Sequence, residues 1–141
     1  MAEGKVLTGA GLRGQVAGKT ALSTVGKSGA GLTYRGYDVQ DLAENCQFEE
    51  VAYLIFFGEL PTAEQLATYK AKLKSLRQLP QALKEVLERI PADSHPMDVM
   101  RTGVSMLGNI ETEKTFDEQQ DVADRILATL PAIICYWYRF S

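Results

Sequence analysis

The chain has 141 residues, of which 45% are hydrophobic and 23% charged, and its formal net charge is -3. This composition is typical of one soluble globular domain and excludes a disordered chain. The negative charge argues against general nucleic-acid binding, and no apolar run reaches the roughly 18 residues of a membrane span.

The N-terminus and the rare residues indicate a cytoplasmic protein. Residues 1–14 lack the apolar core of a signal peptide. Cys46 and Cys135 are too few for a disulfide framework or a metal cage, so we expect reduced thiols. His95 is the single histidine, which leaves too little machinery for a Ser-His-Asp triad or a three-histidine metal site.

The first predicted segment, residues 1–36, is rich in glycine and contains nine of the 12 glycines. The β-branched stretch 20–25 predicts a strand, 26–31 a turn and 32–34 a return strand. We therefore expect a small β-hairpin packed on the rest of the chain, because a lone hairpin is marginally stable.

Residues 37–141 are predicted to be helical. Asp38 is placed to cap a helix over 39–44. The next helix, 48–57, is apolar on both sides, which predicts burial nearly all round. Gly58 ends it, and four or five helices are expected to pack around it.

Capping and breaking residues bound the middle helices. Thr62 with Gln65 forms a capping box. Pro80 ends the helix that this box opens, and a short helix over 83–90 stops at Pro91.

The last two helices are also bounded by sequence signals. His95 or Ser94 caps a helix that begins near Pro96, Gly103 keeps it slim, and 108–109 end it.

Asp117 is predicted to cap the final helix, in which Pro131 predicts a kink. One face of that helix is expected to carry Val122, Ile126, Leu130, Ile133 and Trp137. The apolar end, 132–141, predicts either a covering partner or a chain that stops short.

Two glycine-rich motifs resemble nucleotide-binding loops but lack the required context. Residues 9–14 match G-x-G-x-x-G, and residues 14–20 resemble a P-loop with one residue too few between its glycines. Neither follows a strand and opens a helix, as phosphate binding on a helix N-terminus requires. We expect neither segment to bind a nucleotide.

A basic stripe of Lys70, Lys72, Lys74 and Arg77 is typical of a solvated helix face, with an anion site as the alternative. His95 is interpreted as a helix start rather than a catalyst, because no paired base lies near it in sequence. Cys135 is expected to be an inert core thiol. Cys46 is expected to be more exposed, with no activating motif. The residues therefore indicate no catalytic, cofactor-binding or metal-ligating side chain.

Several longer segments of the sequence resemble the citrate synthase family. In chain order they are GLRG at 11–14, TALS at 20–23, LTYRGYD at 32–38, FEEVAYL at 48–54, GELPT at 58–62 and SHPMDVMR at 94–101. Within the family, TVGKSG at 24–29 and CYWY at 135–138 are more similar to the 2-methylcitrate branch. The resemblance covers about residues 11–140 and implies a mostly α fold, with 37–141 as part of the family's large domain.

The resemblance also implies an activity. Family members condense an acyl-coenzyme A with oxaloacetate. In the 2-methylcitrate branch the acyl group is propionyl, which implies a role in propionate metabolism. A carboxylate removes the proton α to the thioester carbonyl, and two histidines stabilise the enol and assist its attack. No metal or redox cofactor is implied, and the family implies a homodimer.

The positions of the family's catalytic histidines, aspartate and substrate-binding arginines lie downstream of this sequence, and His95 matches a different motif. The resemblance therefore implies an inactive N-terminal portion of a 2-methylcitrate synthase. A citrate synthase portion that uses acetyl-coenzyme A is one alternative. A non-catalytic helical module that dimerises through 96–107 and 122–140 is another.

Overall fold

The computed structural model describes residues 18–26 and 31–141. The described residues form six α-helices and a small antiparallel sheet, which confirms the predicted fold class, mostly α with a β-hairpin. The chain divides into two compact units, Met1–Leu60 and Pro61–Ser141. The domain boundary predicted at residue 36 stays a prediction.

The predicted hairpin is present in the first unit. Strand β1, Ser23–Val25, pairs antiparallel with β2, Leu32–Tyr34, so that Thr24 lies opposite Thr33. The middle of the predicted turn lies outside the described residues, as do residues 9–17 of the two glycine-rich motifs.

A third strand, β3 (Tyr37–Asp38), extends this sheet and was not predicted. Two residues are too short to show the alternation that marks a strand. The loop between β2 and β3 consists of Arg35 and Gly36, whose φ angles are 50° and 94°. Positive φ at both loop residues gives the twist that a two-residue hairpin needs.

Helices α1, Val39–Asn45, and α2, Phe48–Phe57, follow the sheet. The predicted cap is confirmed, because Oδ1 of Asp38 accepts a hydrogen bond of 2.8 Å from the Gln40 N–H. Gly58 ends α2 with a φ of 92°, which a residue without Cβ adopts readily.

Burial of α2 on all sides was predicted wrongly. Its buried residues are Ala52 and Leu54, whereas Phe48, Phe56 and Phe57 are exposed. Both ends of α2 therefore carry exposed phenylalanine side chains, while its middle is buried or half-buried.

The second unit contains α3 (Ala63–Ser75), α4 (Gln81–Leu87), α5 (Pro96–Ile110) and α6 (Gln119–Phe140). The remaining predicted cap signals are tested in this unit. The capping box is confirmed: the Thr62 hydroxyl accepts from the Gln65 N–H, and the Gln65 side chain accepts from the Thr62 N–H. The His95 cap is also confirmed, because Nδ1 accepts from the Met97 N–H.

The ends of the last two helices differ from the prediction. Helix α5 runs through 108–109 to Ile110, because neither residue takes a positive φ. Asp117 does not cap α6. A 3-10 turn, Phe116–Glu118, leads directly into that helix, and its N-cap residue Glu118 makes no side-chain cap bond. Helix α6 continues through Pro131, and a kink there stays a prediction.

The core of the second unit is organised around α6, which contacts α3, α4 and α5. The expectation that the helices pack around 48–57 is therefore wrong. The buried cluster consists of Leu83, Leu87, Val99, Leu107, Ile133 and Trp137. Gly103 permits the close approach of α5 to α6, since a Cβ there would lie 2.6 Å from Cγ2 of Ile133.

Candidate functional site

The second unit buries a carboxylate completely, that of Asp124 on α6. Its side chain is 0% exposed. Oδ1 accepts hydrogen bonds from the Tyr69 hydroxyl at 2.9 Å and from Nε2 of Gln120 at 3.2 Å. Oδ2 accepts from Nζ of Lys72 at 2.7 Å. Three donors satisfy a carboxylate that burial alone would make costly.

Lys72 connects this buried carboxylate to the surface. Its Nζ also donates to Asp121 at 2.8 Å, and Asp121 is 77% exposed. The hydrogen bonds to Asp121 and Asp124 raise the pKa of the Lys72 ammonium, and partial burial opposes that shift. We define the Asp124 network as Tyr69, Lys72, Gln120 and Asp124.

Arg125, the next residue along α6, joins the ends of two other helices. Its Nε and Nη2 donate to the two carboxylate oxygens of Glu111, at 2.8 and 2.6 Å. Its Nη1 donates to the backbone oxygens of Leu76 and Gln78. The hydrogen bonds from Arg125 hold the pKa of Glu111 below its usual value, although desolvation acts against this.

A cleft of about 660 Å³ lies beside Arg125, between α5 and α6. Its size falls in the ~300–1,000 Å³ range of small-molecule sites. Apolar residues that line it are Leu76, Val104, Leu107, Val122 and Ile126, and charged residues that line it are Glu111, Glu113, Lys114, Glu118, Asp121 and Arg125.

The charges of this cleft do not suit an anion. Four carboxylates against two cations leave a formal balance of -2 among the lining residues. The guanidinium of Arg125 is already bound to Glu111 and two carbonyls. A dicarboxylate or a phosphate that entered the cleft would therefore meet net repulsion.

The residues that line this cleft include none of the basic stripe, His95 or Cys135. Two interpretations of those residues need correction. Lys72 is not on a purely solvated face, because it pairs with buried Asp124. Cys135 is exposed, whereas Cys46 is half-buried, the reverse of the prediction. Cys135 lies two residues from each of the buried Ile133 and Trp137. Two residues turn an α-helix by about 200°, so the thiol faces away from the core.

His95 acts as the cap of α5, as described above. Within residues 18–26 and 31–141, no group of three His, Cys, Asp or Glu side chains is placed to hold a metal ion. No helix in this part of the chain is long and apolar enough to cross a membrane.

The polar groups that matter most at this site were missed in the sequence. Asp124 lies four residues before Ala128, on the buried face of α6. A carboxylate at that spacing, with a lysine on a neighbouring predicted helix, is the signal that indicates a buried ion pair. The apolar stripe in the sequence predicted Val122 and Ile126 on the buried face, but these residues are only half-buried.

Comparison with known proteins identifies the family. The family model described as the citrate synthase C-terminal domain matches residues 11–141. The chain belongs to the citrate synthase family. The mostly helical fold is thus that of a citrate synthase.

Two relatives share long stretches of this sequence. A 2-methylcitrate synthase of Shewanella oneidensis is 76% identical over 141 residues, which are all of this chain and 38% of that protein. The 2-methylcitrate synthase 2 of Corynebacterium glutamicum is 46% identical over 127 residues, covering 88% of this chain and 33% of that protein.

A solved structure supports the fold. The citrate synthase of Thermoplasma acidophilum, in ternary complex with carboxymethyl coenzyme A and oxaloacetate, superposes with a TM-score of 0.81 at 28% identity. The alignment covers 92% of this chain and 35% of that one. This chain therefore spans between 33% and 38% of the length of these family members.

Proposed function

We propose that these 141 residues are the N-terminal portion of a 2-methylcitrate synthase. The whole enzyme would condense propionyl-coenzyme A with oxaloacetate and water, giving 2-methylcitrate and coenzyme A. The observation that carries the proposal is the 76% identity to the Shewanella oneidensis enzyme over the entire chain. A cytoplasmic location and a role in propionate metabolism belong to the same proposal.

The electrostatics of the second unit support a framework role for this part of the enzyme, with the substrates bound elsewhere. Oxaloacetate is a dianion, and coenzyme A carries several phosphate charges. The cleft between α5 and α6 is net negative and its arginine is engaged. We infer that substrate binding and catalysis need residues beyond these 141, and that this part supplies helical framework.

A chimera tests the proposal. In the Shewanella oneidensis enzyme, the 141 aligned residues are replaced by this chain, and coenzyme A release from propionyl-coenzyme A with oxaloacetate is measured. Activity within about tenfold of the parent is expected, because substitutions away from a reacting centre cost little. A well-folded chimera with no activity would contradict the proposal.

The alternative is tested on the full-length enzyme that contains this chain, by measuring coenzyme A release from acetyl-coenzyme A and from propionyl-coenzyme A. The Thermoplasma acidophilum relative is named a citrate synthase, so an acetyl preference is the second candidate. A native full-length enzyme that prefers propionyl-coenzyme A supports the 2-methylcitrate assignment, and one that prefers acetyl-coenzyme A refutes it.

We also propose that the chain forms a homodimer through α5 and α6. Exposed apolar side chains on these helices support this, among them Met97 and Tyr138, which are 62% and 79% exposed. Burying such side chains in a two-fold contact is worth ~1.5–3 kcal/mol each. Gly103 does not serve as a probe of the interface, because it packs on Ile133 of the same chain.

Sedimentation at several concentrations tests the dimer. Tyr138→Glu is expected to weaken a discrete dimer, whereas Phe116→Glu is the matched control. Phe116 is an equally exposed aromatic residue that lies outside both helices. A monomer at high micromolar concentration, or equal effects of the two variants, would rule the interface out.

A further inference from the structure

The attachment of α3 to α6 includes a fully buried charge, the carboxylate of Asp124. The buried apolar cluster of the second unit draws its members from α4, α5 and α6, and none from α3. Helix α3 buries Tyr69 and Leu73, and it also meets α6 through the Asp124 network, in which Tyr69 and Lys72 both donate to one carboxylate.

The position of these contacts along the chain makes them informative. Tyr69 and Lys72 lie 55 and 52 residues from Asp124, so the bonds form only when α3 is docked. The two donors are three residues apart and hence on one face of α3. Gln120 of α6 completes the set from the other side.

The docked helix α3 therefore supplies two of the donors that satisfy the buried charge of Asp124. If the carboxylate is neutralised, Lys72 loses its buried acceptor and two further donors lose a charged partner. Hydrogen bonds to a charged group are the strong ones, and a buried partner left unsatisfied is costly. The apolar cluster contains no member of this network.

We propose that the Asp124 network is a charge-dependent switch for α3. With the carboxylate ionised, α3 is docked on α6. With the charge removed, α3 separates from α6 and unfolds locally. The core formed by α4, α5 and α6 stays folded.

Amide hydrogen exchange of the 141-residue chain, resolved by helix, tests this proposal. Asp124→Asn keeps the shape of the side chain and removes its charge. We expect protection within Ala63–Ser75 to fall by about 10- to 100-fold, while the amides of α4 and α5 change by less than about threefold.

Two further variants keep the result interpretable. Lys72→Met removes the cation and keeps the apolar stem, so it is expected to expose the same helix. Asp121→Asn is the matched control, because this carboxylate binds the same lysine but is 77% exposed, and a change below about threefold is expected. Equal loss of protection in all helices, no loss in α3, or an equal effect of Asp121→Asn would overturn the proposal.

Discussion

At the scale of single residues, Arg125 shows how one side chain fixes several elements. It binds the carboxylate of Glu111, just past α5, and the backbone oxygens of Leu76 and Gln78, just past α3. An arginine fork reaches these three groups at once, whereas a lysine ammonium does not match the two oxygens of a carboxylate in the same plane.

The pair of Arg125 and Glu111 predicts a pH dependence. The pKa of Glu111 lies below its ordinary value of 4.5 in the folded chain. Its contribution to stability is therefore present above pH 4.5 and is lost as the pH falls through the lower folded pKa. Glu111→Gln is expected to reduce the free energy of unfolding at pH 7 by about 0.5–1 kcal/mol, a small value because Glu111 is partly exposed to screening solvent.

Urea unfolding at pH 7 and below pH 4 measures this effect. The difference between Glu111→Gln and the parent chain should shrink as the pH falls. Glu113→Gln, in the same cleft, is the matched control and should change little. A difference that grows towards acid pH would contradict the assignment.

Two glycines of α5 give a second test at this scale. Gly103→Ala places a methyl group 2.6 Å from Ile133, while Gly108→Ala meets nothing within 4 Å. Overpacking costs ~1–3 kcal/mol, and alanine gains up to ~1 kcal/mol over glycine in an open helix position. Thermal unfolding should show the first variant less stable than the parent and the second equal or more stable. Similar melting temperatures for the two variants would exclude a tight α5–α6 contact.

At the scale of the elements, the first turn of α3 depends on a reciprocal cap. Thr62→Ala removes the hydroxyl that accepts from the Gln65 N–H, so a loss of ~1 kcal/mol in the free energy of unfolding is expected. Thr62→Ser keeps the acceptor and should retain most of the stability. Chemical denaturation measures both variants, and equal losses would show that the cap bond is not the cause.

Local signals predicted the elements better than their arrangement. The caps at Asp38, Thr62 and His95 follow from short-range chemistry, so the sequence contains them in full. Asp117 resembled a cap equally well, but the chain enters α6 through a 3-10 turn instead. Which helix lies at the centre of a core depends on contacts between residues distant in sequence. The apolar pattern of 48–57 does not contain that information, so the prediction of a core around this helix was wrong.

The candidate site was harder to predict than the fold. The Asp124 network joins residues more than 50 positions apart in sequence. Each of its members is an ordinary polar residue without a motif, and only the meeting of α3 and α6 makes the set buried. The sequence segments that resemble the citrate synthase family, in contrast, predicted the correct family without any three-dimensional information.

At the scale of the whole molecule, the described residues form a helical framework with an acidic cleft. The chain corresponds to 38% of the length of the Shewanella oneidensis enzyme. An enzyme that abstracts a proton next to a thioester needs a positioned base and donors for the developing enolate oxygen. We propose that those groups lie outside these 141 residues.

Coenzyme A release by the isolated 141-residue chain tests this claim most directly. The purified chain is mixed with propionyl-coenzyme A and oxaloacetate, and the free thiol is followed over time. We expect no release above that of the same mixture without protein, because in our proposal the catalytic groups lie beyond these 141 residues. Turnover of about 1–10³ per second, the range of ordinary enzymes, would contradict the account.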